Sequence, residues 1–417
     1  MAPDAPAPIN VIINASPGID DTLAILAALK CPTIRVLGIA TSFSHYVTCE
    51  AATRNARGLC IAAGRPDTPV VQGATAPLST APHPGLNTPE TTATASSSSS
   101  TLNTSSLPSR SSFLGPDGLA GVLLPPVSTE SGQGGKPARG ITGSLASTHI
   151  AAANVGDGSG RDGGEQLNAQ EDSAQKGAED NAQEGAEQRA CEWVCEEVAR
   201  RPGQITIMQL GPMTNLAQAL SLRPSLASEV AAIWVVGGSF FASGDVNAAA
   251  EESVFADPEA ADQVLTSGAN IHVLGLNVTT RVTLTGSDLS SLCSEVASPA
   301  AHDATTSPAA AAAPSLVARL VQAYASHHKQ SDHMDGIFLH DACAVAAILD
   351  PSLFSFKPGS VRVETTGVAR GCTLMDYSLK NWNGPNPWVG VPPVHVAMAV
   401  DTAKVAATIT QLLAAVR

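Results

Sequence analysis

The residues best suited to chemistry form one run near the N-terminus, Asn14-Ala-Ser-Pro-Gly-Ile-Asp20-Asp21. Pro17-Gly18 makes a tight turn, and two adjacent carboxylates follow where a helix is expected to start. Like charges so close repel unless something positive offsets them. The amides and macrodipole of a helix N-terminus are one such offset; a hard cation such as Ca²⁺, which takes oxygen ligands, is another. Three later segments carry groups of the same kind. His340-Asp341 follows the apolar stretch Gly336–Leu339 and opens a late helix. Leu210-Gly-Pro-Met-Thr214-Asn215 ends a strand. Gly237-Gly238 ends another and leads into Gly244-Asp-Val-Asn-Ala-Ala-Ala-Glu251-Glu-Ser-Val-Phe-Ala-Asp257. The glycine pair lacks the Lys-Ser/Thr and helix start of a phosphate cradle, so close backbone approach is its expected role.

Elements that would position these groups alternate along the chain. Strands are expected at Val11–Ile13, Thr33–Thr41 and Pro69–Val71, with helices over Asp20–Lys30 and Val47–Ala63 between them. After Cys191 the rhythm resumes: helix Glu192–Arg200, strand Ile205–Leu210, a helix from Thr214, strand Ala231–Val236, helix Pro258–Ser267 and strand Ile271–Leu276. Helices around Ser315–His328 and Asp341–Leu349, short strands including Ser360–Thr366 and Val394–Val400, and a closing helix Asp401–Val416 complete the series. Strands alternating with helices of this length predict an α/β fold, with a mostly parallel central sheet flanked by helices. In such sheets the carboxyl ends of the strands line the ligand crevice, which is where the acidic run sits.

Between the two halves of this rhythm, from about residue 76 to 188, lie a serine run (Ser96–Ser100), many Gly, Pro and Thr, and an acidic tract. Such a sequence buries too little apolar surface to offset its ordering entropy. It reads as a disordered insertion with one ordered island at Phe113–Pro126. A second Ala/Ser/Pro stretch at 297–314 reads as another insertion. The expected organisation is therefore one interrupted domain over 8–417. Of the formal charge of −14, a large part sits between Asp157 and Ala190, with nine acidic and three basic residues. An acidic surface attracts neither a nucleic-acid backbone nor an anionic membrane, so no nucleic acid and no membrane is expected as partner.

Eight cysteines are scattered without CxxC spacing, and Cys191 and Cys195, four apart on a helix, read as small buried hydrophobes. Reduced thiols fit a cytoplasmic protein. The start, MAPDAPAPIN, has neither the basic nor the apolar region of a signal peptide. Asp401 and Lys404 break the most apolar late stretch, so no membrane span is expected. His327, His328 and His333 lie in a polar stretch and are expected to be solvated. Trp382 and Trp388 could shape a pocket or serve packing.

Taken together, the motifs resemble the inosine/uridine-preferring nucleoside hydrolases, particularly the plant uridine nucleosidases. That family carries Asp-x-Asp-Pro-Gly-x-Asp-Asp, then Gly-Pro-Leu-Thr-Asn, Gly-Gly, Gly-Asn-x-x-Pro-Ala-Ala-Glu-x-Asn with Asp-Pro-Glu-Ala-Ala, and later His-Asp. The likeness also runs through Thr53-Arg-Asn-Ala56, Gly275-Leu-Asn-Val-Thr279 and the tail from Arg362 to Trp388, covering nearly all of the chain outside the two insertions. The resemblance implies hydrolysis of the N-glycosidic bond of purine or pyrimidine ribonucleosides to ribose and free base, with a calcium-bound water and an oxocarbenium-like transition state. It implies calcium ligands at Asp21, Asp341 and the Leu210 carbonyl. It implies ribose contacts from Asp20 and Glu251, and a leaving-base contact from His340. An oligomer, of this chain alone or with a paralogue, is the implied assembly.

Departures from the pattern carry equal weight. Ser16 stands where the family has the aspartate that is both calcium ligand and general base, and Asn14 replaces the first aspartate of the motif. Asp245 stands for an asparagine, Ser253 for the asparagine that contacts ribose, and Phe43-Ser44-His45-Tyr46 for a Phe-Gly-Asn stretch. If Phe113–Gly121 is the remnant of a histidine-bearing loop, Leu114 has replaced its histidine. A serine hydroxyl has the wrong proton affinity for a base at neutral pH, and losing a general base typically costs about 10²–10⁴ in rate. One fewer anionic ligand also weakens calcium binding. The alternative expectation is therefore a catalytically impaired member that binds nucleoside or ribose, or serves as partner subunit of an active paralogue.

Overall fold

A strand whose side chains alternate between two apolar layers must be covered on both faces, and the first strand shows this. In the computed structural model, which describes residues 7–79, 115–126, 189–297 and 315–416, Val11, Ile13 and Ala15 of β1 (Ile9–Ala15) enter one core while Ile12 enters the other. Parallel sheets need this double cover, and it explains the near-continuous apolar run. By internal contacts the chain divides into Met1–Pro125 with Ala186–Arg417, and Pro126–Gly185; every element below belongs to the first unit.

The elements follow in chain order: α1 (Ile19–Lys30), β2 (Ile34–Thr41), α2 (Cys49–Ala62), β3 (Val70–Gln72), α3 (189–200), β4 (Ile205–Gln209), α4 (Thr214–Leu222), α5 (Leu226–Glu229), β5 (Ala232–Val236), α6 (Glu252–Ala256), α7 (Pro258–Leu265) and β6 (Ile271–Leu274). Then come α8 (Leu276–Thr279), β7 (Thr283–Thr285), α9 (Gly286–Ala297), α10 (Leu316–Ser331), β8 (Gly336–Phe338), α11 (Ala342–Leu349), β9 (Phe354–Val363), β10 (Thr373–Asp376), β11 (Pro393–Val400) and α12 (Thr402–Ala414). Among the described residues, nine strands form one sheet in the order β10-β9-β11-β6-β5-β4-β1-β2-β3, and β7 pairs with β8 in a separate ribbon. From β11 to β3 every pairing is parallel; β9 alone runs antiparallel to its neighbours. The α/β, mostly parallel architecture is thus the one expected.

Two boundaries differ for physical reasons. β9 begins six residues before Ser360, because Pro358 and Gly359 read as breakers. β10 pairs only with Ser360–Val363, so Pro358 lies where one side of β9 is an open edge and an amide-less residue is tolerated. The strand expected to reach Leu276 stops at Leu274, since Gly275 becomes the N-cap of α8. The insertions expected at 76–188 and 297–314 fall mostly outside the described residues, as does Leu114. Residues 115–126 of the island are described and dock on the domain, with Leu119 and Val122 buried. Asn55 Nδ2 donates to the carbonyls of Pro17 (2.7 Å) and Asp117 (2.8 Å), tying the island to the turn before α1.

Candidate active site

At the carboxyl ends of β1, β4, β5 and β6 lies one cavity whose lining includes Ser16, Asp20, Asp21, Leu210, Asp245, Glu251, Ser253, His340 and Asp341. The nine positions that the resemblance matches to ligand, ribose, base or leaving-group roles all line it. Asp20 and Asp21 open α1. The Asp21 carboxylate accepts the Ser16 and Gly18 amides, each at 3.2 Å. Capping and ion binding are compatible here, because a carboxylate offers about four lone-pair sites and the amides occupy two. Ser16 closes β1 and is buried. Its hydroxyl abuts the turn after β4: a methyl group added at Gly211 would stand 2.7 Å from Ser16 Oγ.

The opposite wall is built by the glycine pair. Glu251 caps α6, and its carboxylate accepts amides from Ser253 (2.9 Å), Gly238 (3.0 Å) and Val254 (3.1 Å). Gly238, at φ +83°, supplies one of these in a backbone conformation that a side chain would strain. The Ser253 hydroxyl donates to the Leu210 carbonyl at 3.4 Å, a weak bond. Asp245 Oδ1 accepts the Glu252 amide at 2.9 Å. On the third side, His340 Nδ1 stands 2.9 Å from Thr279 Oγ1, with its ring 5.0 Å from that of Phe338.

Electrostatics single out Asp341. It is 6% exposed, makes no side-chain cap to its own helix, and has no hydrogen-bond donor among the described residues. Burial pushes its carboxyl well above the usual range, and Asp20, Asp21, Glu251 and Glu252 add to the push. Burial likewise raises Asp21 to about 6, against the pull of its amides. Glu251 rises to about 7 through burial and the nearby Asp245. Among the described residues no lysine or arginine lines the cavity. A donor set of carboxylates, a backbone carbonyl and a hydroxyl suits a hard cation, and a buried carboxylate without a donor calls for one. Among the described residues, however, no three acidic, histidine or cysteine side chains stand close enough to grip an ion by themselves. A cation here would therefore lean on the Leu210 carbonyl, the Ser16 hydroxyl and water.

Some lining groups were not expected at the site. Tyr324 and His327, one turn apart on α10, face the cavity, as does Glu252. The expectation that His327 and His328 are solvated is corrected: they are 3% and 0% exposed. Their i, i+3 and i+4 spacing from Tyr324 puts all three on the buried face of α10, and His328 Nδ1 meets Asp332 at 2.8 Å. His333 is exposed. Tyr46, from the departing Phe43–Tyr46 stretch, also lines the cavity, whereas Trp382 and Trp388 do not. Trp382 instead donates from Nε1 to Asp376 at 2.9 Å.

Comparison with known proteins identifies the family. The family model of the inosine-uridine preferring nucleoside hydrolases matches residues 11–407. Uridine nucleosidase 1 of Arabidopsis thaliana is 35% identical over 394 residues, covering 94% of this chain and 89% of its own. A plant nucleoside hydrolase of solved structure is 30% identical with a TM-score of 0.68, covering 97% of this chain and 99% of its own. The purine-preferring ribonucleoside hydrolase of Gardnerella vaginalis, 23% identical, shares the fold at a TM-score of 0.66, with 98% of each chain covered. This chain therefore belongs to the inosine-uridine preferring nucleoside hydrolases, which places it among the hydrolases of N-glycosyl compounds.

Proposed function

We propose that this chain cleaves the N-glycosidic bond of a ribonucleoside to ribose and free base, in a site that holds calcium through Asp21, Asp341, the Leu210 carbonyl and the Ser16 hydroxyl. One observation carries the reading: Asp341 is buried, without a donor among the described residues, in a cavity shared with Asp20, Asp21 and Glu251. Calcium, when bound, would supply Lewis-acid polarisation of the attacking water and a grip on ribose hydroxyls. The chain's own residues do the rest. Asp20 and Glu251 accept ribose hydroxyls, and the Glu251 carboxylate, held by three amides, needs no reorganisation to do so. Carboxylates around the ring stabilise positive charge as it develops at the anomeric carbon. His340, with Nδ1 engaged by Thr279, presents its other nitrogen to the leaving base.

The second reading, a nucleoside-binding member with impaired turnover, is favoured by Ser16, which places a hydroxyl where the family has its base. The two readings separate on the release of base from uridine, inosine and xanthosine, with and without calcium, by the native chain and by Ser16→Asp. If the variant is faster by about 10²–10⁴, the range a general base contributes, the impaired reading holds. Rapid native turnover excludes it.

The assembly we favour is an oligomer of this chain or of this chain with a paralogue, built on a single domain over 8–417. A cytoplasmic site of action is favoured by eight free cysteines, five of them buried. Among the described residues no helix is long and apolar enough to cross a membrane.

A further inference from the structure

Beneath the cavity floor lies a chain of buried amides whose direction is fixed at both ends by backbone groups. Asn215 Oδ1 accepts the Ala74 amide at 2.8 Å, so its Nδ2 must face away, where it donates to the Thr41 carbonyl (3.0 Å) and to Asn14 Oδ1 (3.0 Å). Asn14 Nδ2 is thereby turned to donate to Gln209 Oε1 at 2.7 Å. Gln209 Nε2 then donates to the carbonyls of Gly211 (2.8 Å) and Pro212 (3.1 Å). All three side chains are at most 2% exposed. Each orientation dictates the next, from the end of β3 across β2, β1 and β4.

We infer that Asn14 and Gln209 are positioning residues, a polarised relay that holds the turn Leu210–Pro212 so that the Leu210 carbonyl faces the cavity. The inference rests on the proposed role of that carbonyl. Its logic is one of donors and acceptors. An aspartate at position 14, the residue type of the family motif, could still accept from Asn215 but could not donate to Gln209. Either two oxygens would then oppose each other, or Gln209 would flip and set its oxygen against the Gly211 and Pro212 carbonyls. In this chain the asparagine is therefore matched to Gln209, and the turn loses its anchor if either is changed.

The test uses the full chain and the variants Asn14→Asp and Gln209→Met, the second in case the first does not fold. Calcium affinity is read by titration calorimetry, and the mobility of the turn by amide hydrogen exchange over 209–216 without added metal. Groups that orient a ligand typically contribute about 10–100-fold in metal affinity. We expect a loss of that size in each variant, faster exchange confined to the turn, and no further loss in the double variant, since the two act as one unit. Native calcium binding with unchanged affinity and exchange in both variants would overturn the relay alone. A native chain that binds no calcium would overturn the cation reading and, with it, the functional role of the relay. Exchange that rises throughout the sheet would show a merely structural role and overturn the inference as well.

Discussion

Three buried acids of the cavity differ in how many hydrogen bonds hold their charge. Glu251 accepts three backbone amides, Asp21 two, and Asp341 none among the described residues. Each is pushed up by burial, yet only the first two have partners that favour the ionised form. Asp341 therefore depends most on an external cation. Replacing it with asparagine removes the buried charge and keeps the shape. Without calcium, Asp341→Asn should melt higher than the native chain, by roughly 1–2 °C for each kcal/mol relieved in a domain of this size. With calcium, the native chain should gain stability through binding the folded state and the variant should not. Thermal melts with calcium and with chelator measure both. A variant that melts lower without metal, or still responds to calcium, would mean that the carboxylate is satisfied in another way.

Helices and turns set these distances, and the island at 115–126 shows how closely. Gly118, at φ +70°, lies against the turn before α1. A methyl group there would stand 2.4 Å from Val47 Cγ2 and 3.5 Å from Gly18 Cα. A left-handed conformation costs a non-glycine residue about 1–2 kcal/mol before any clash. Gly118→Ala should therefore lift the island from the cavity wall and raise KM for uridine severalfold, with a smaller change in kcat. Equal losses in both would place Gly118 in the chemistry rather than in the wall. Sequence reasoning anticipated an ordered island because apolar residues reappear there, but nothing local to it showed where it docks. Legibility followed the same rule elsewhere. The Asp20-Asp21 run, Glu251 and His340-Asp341 were readable because strand ends in a parallel sheet converge on one crevice. Tyr324 and His327 were not, since the polar residues around them hide a buried helical face that only the packing of α10 reveals. The Asn14–Gln209–Asn215 relay was likewise out of reach. Its members lie far apart in sequence, and donors and acceptors can be matched only once β1, β2 and β4 are in register.

Across the whole molecule, one contribution to stability against acid sits where the sheet turns from parallel to antiparallel. Trp234, His272 and His395 occupy facing positions on β5, β6 and β11. Their rings stack in series, His272 lying 4.3 Å from Trp234 and 4.9 Å from His395, with Phe356 of β9 at 5.3 Å. Burial lowers the pKa of His272 from 6.5 to about 4, helped by His395 beside it, and its Nδ1 is buried without a hydrogen-bond partner among the described residues. Folding thus favours the neutral ring. Between pH 6.5 and 4 the unfolded chain takes up a proton here that the folded chain refuses, so stability from this residue is complete above pH 6.5 and is lost as pH falls towards 4. The site carboxylates act in the opposite sense. Their folded pKa values are raised, so without metal they gain stability on acidification over the same range. The net slope is a balance of the two, and a single melt against pH would not separate them. Comparison with His272→Phe does, because the carboxylates cancel in the difference while the ring stack is kept. The gap between the denaturation midpoints of variant and native should move in favour of the variant as pH falls from 7 to 5. A gap that stays constant across that range would mean that His272 is protonated as readily in the folded sheet as in the unfolded chain.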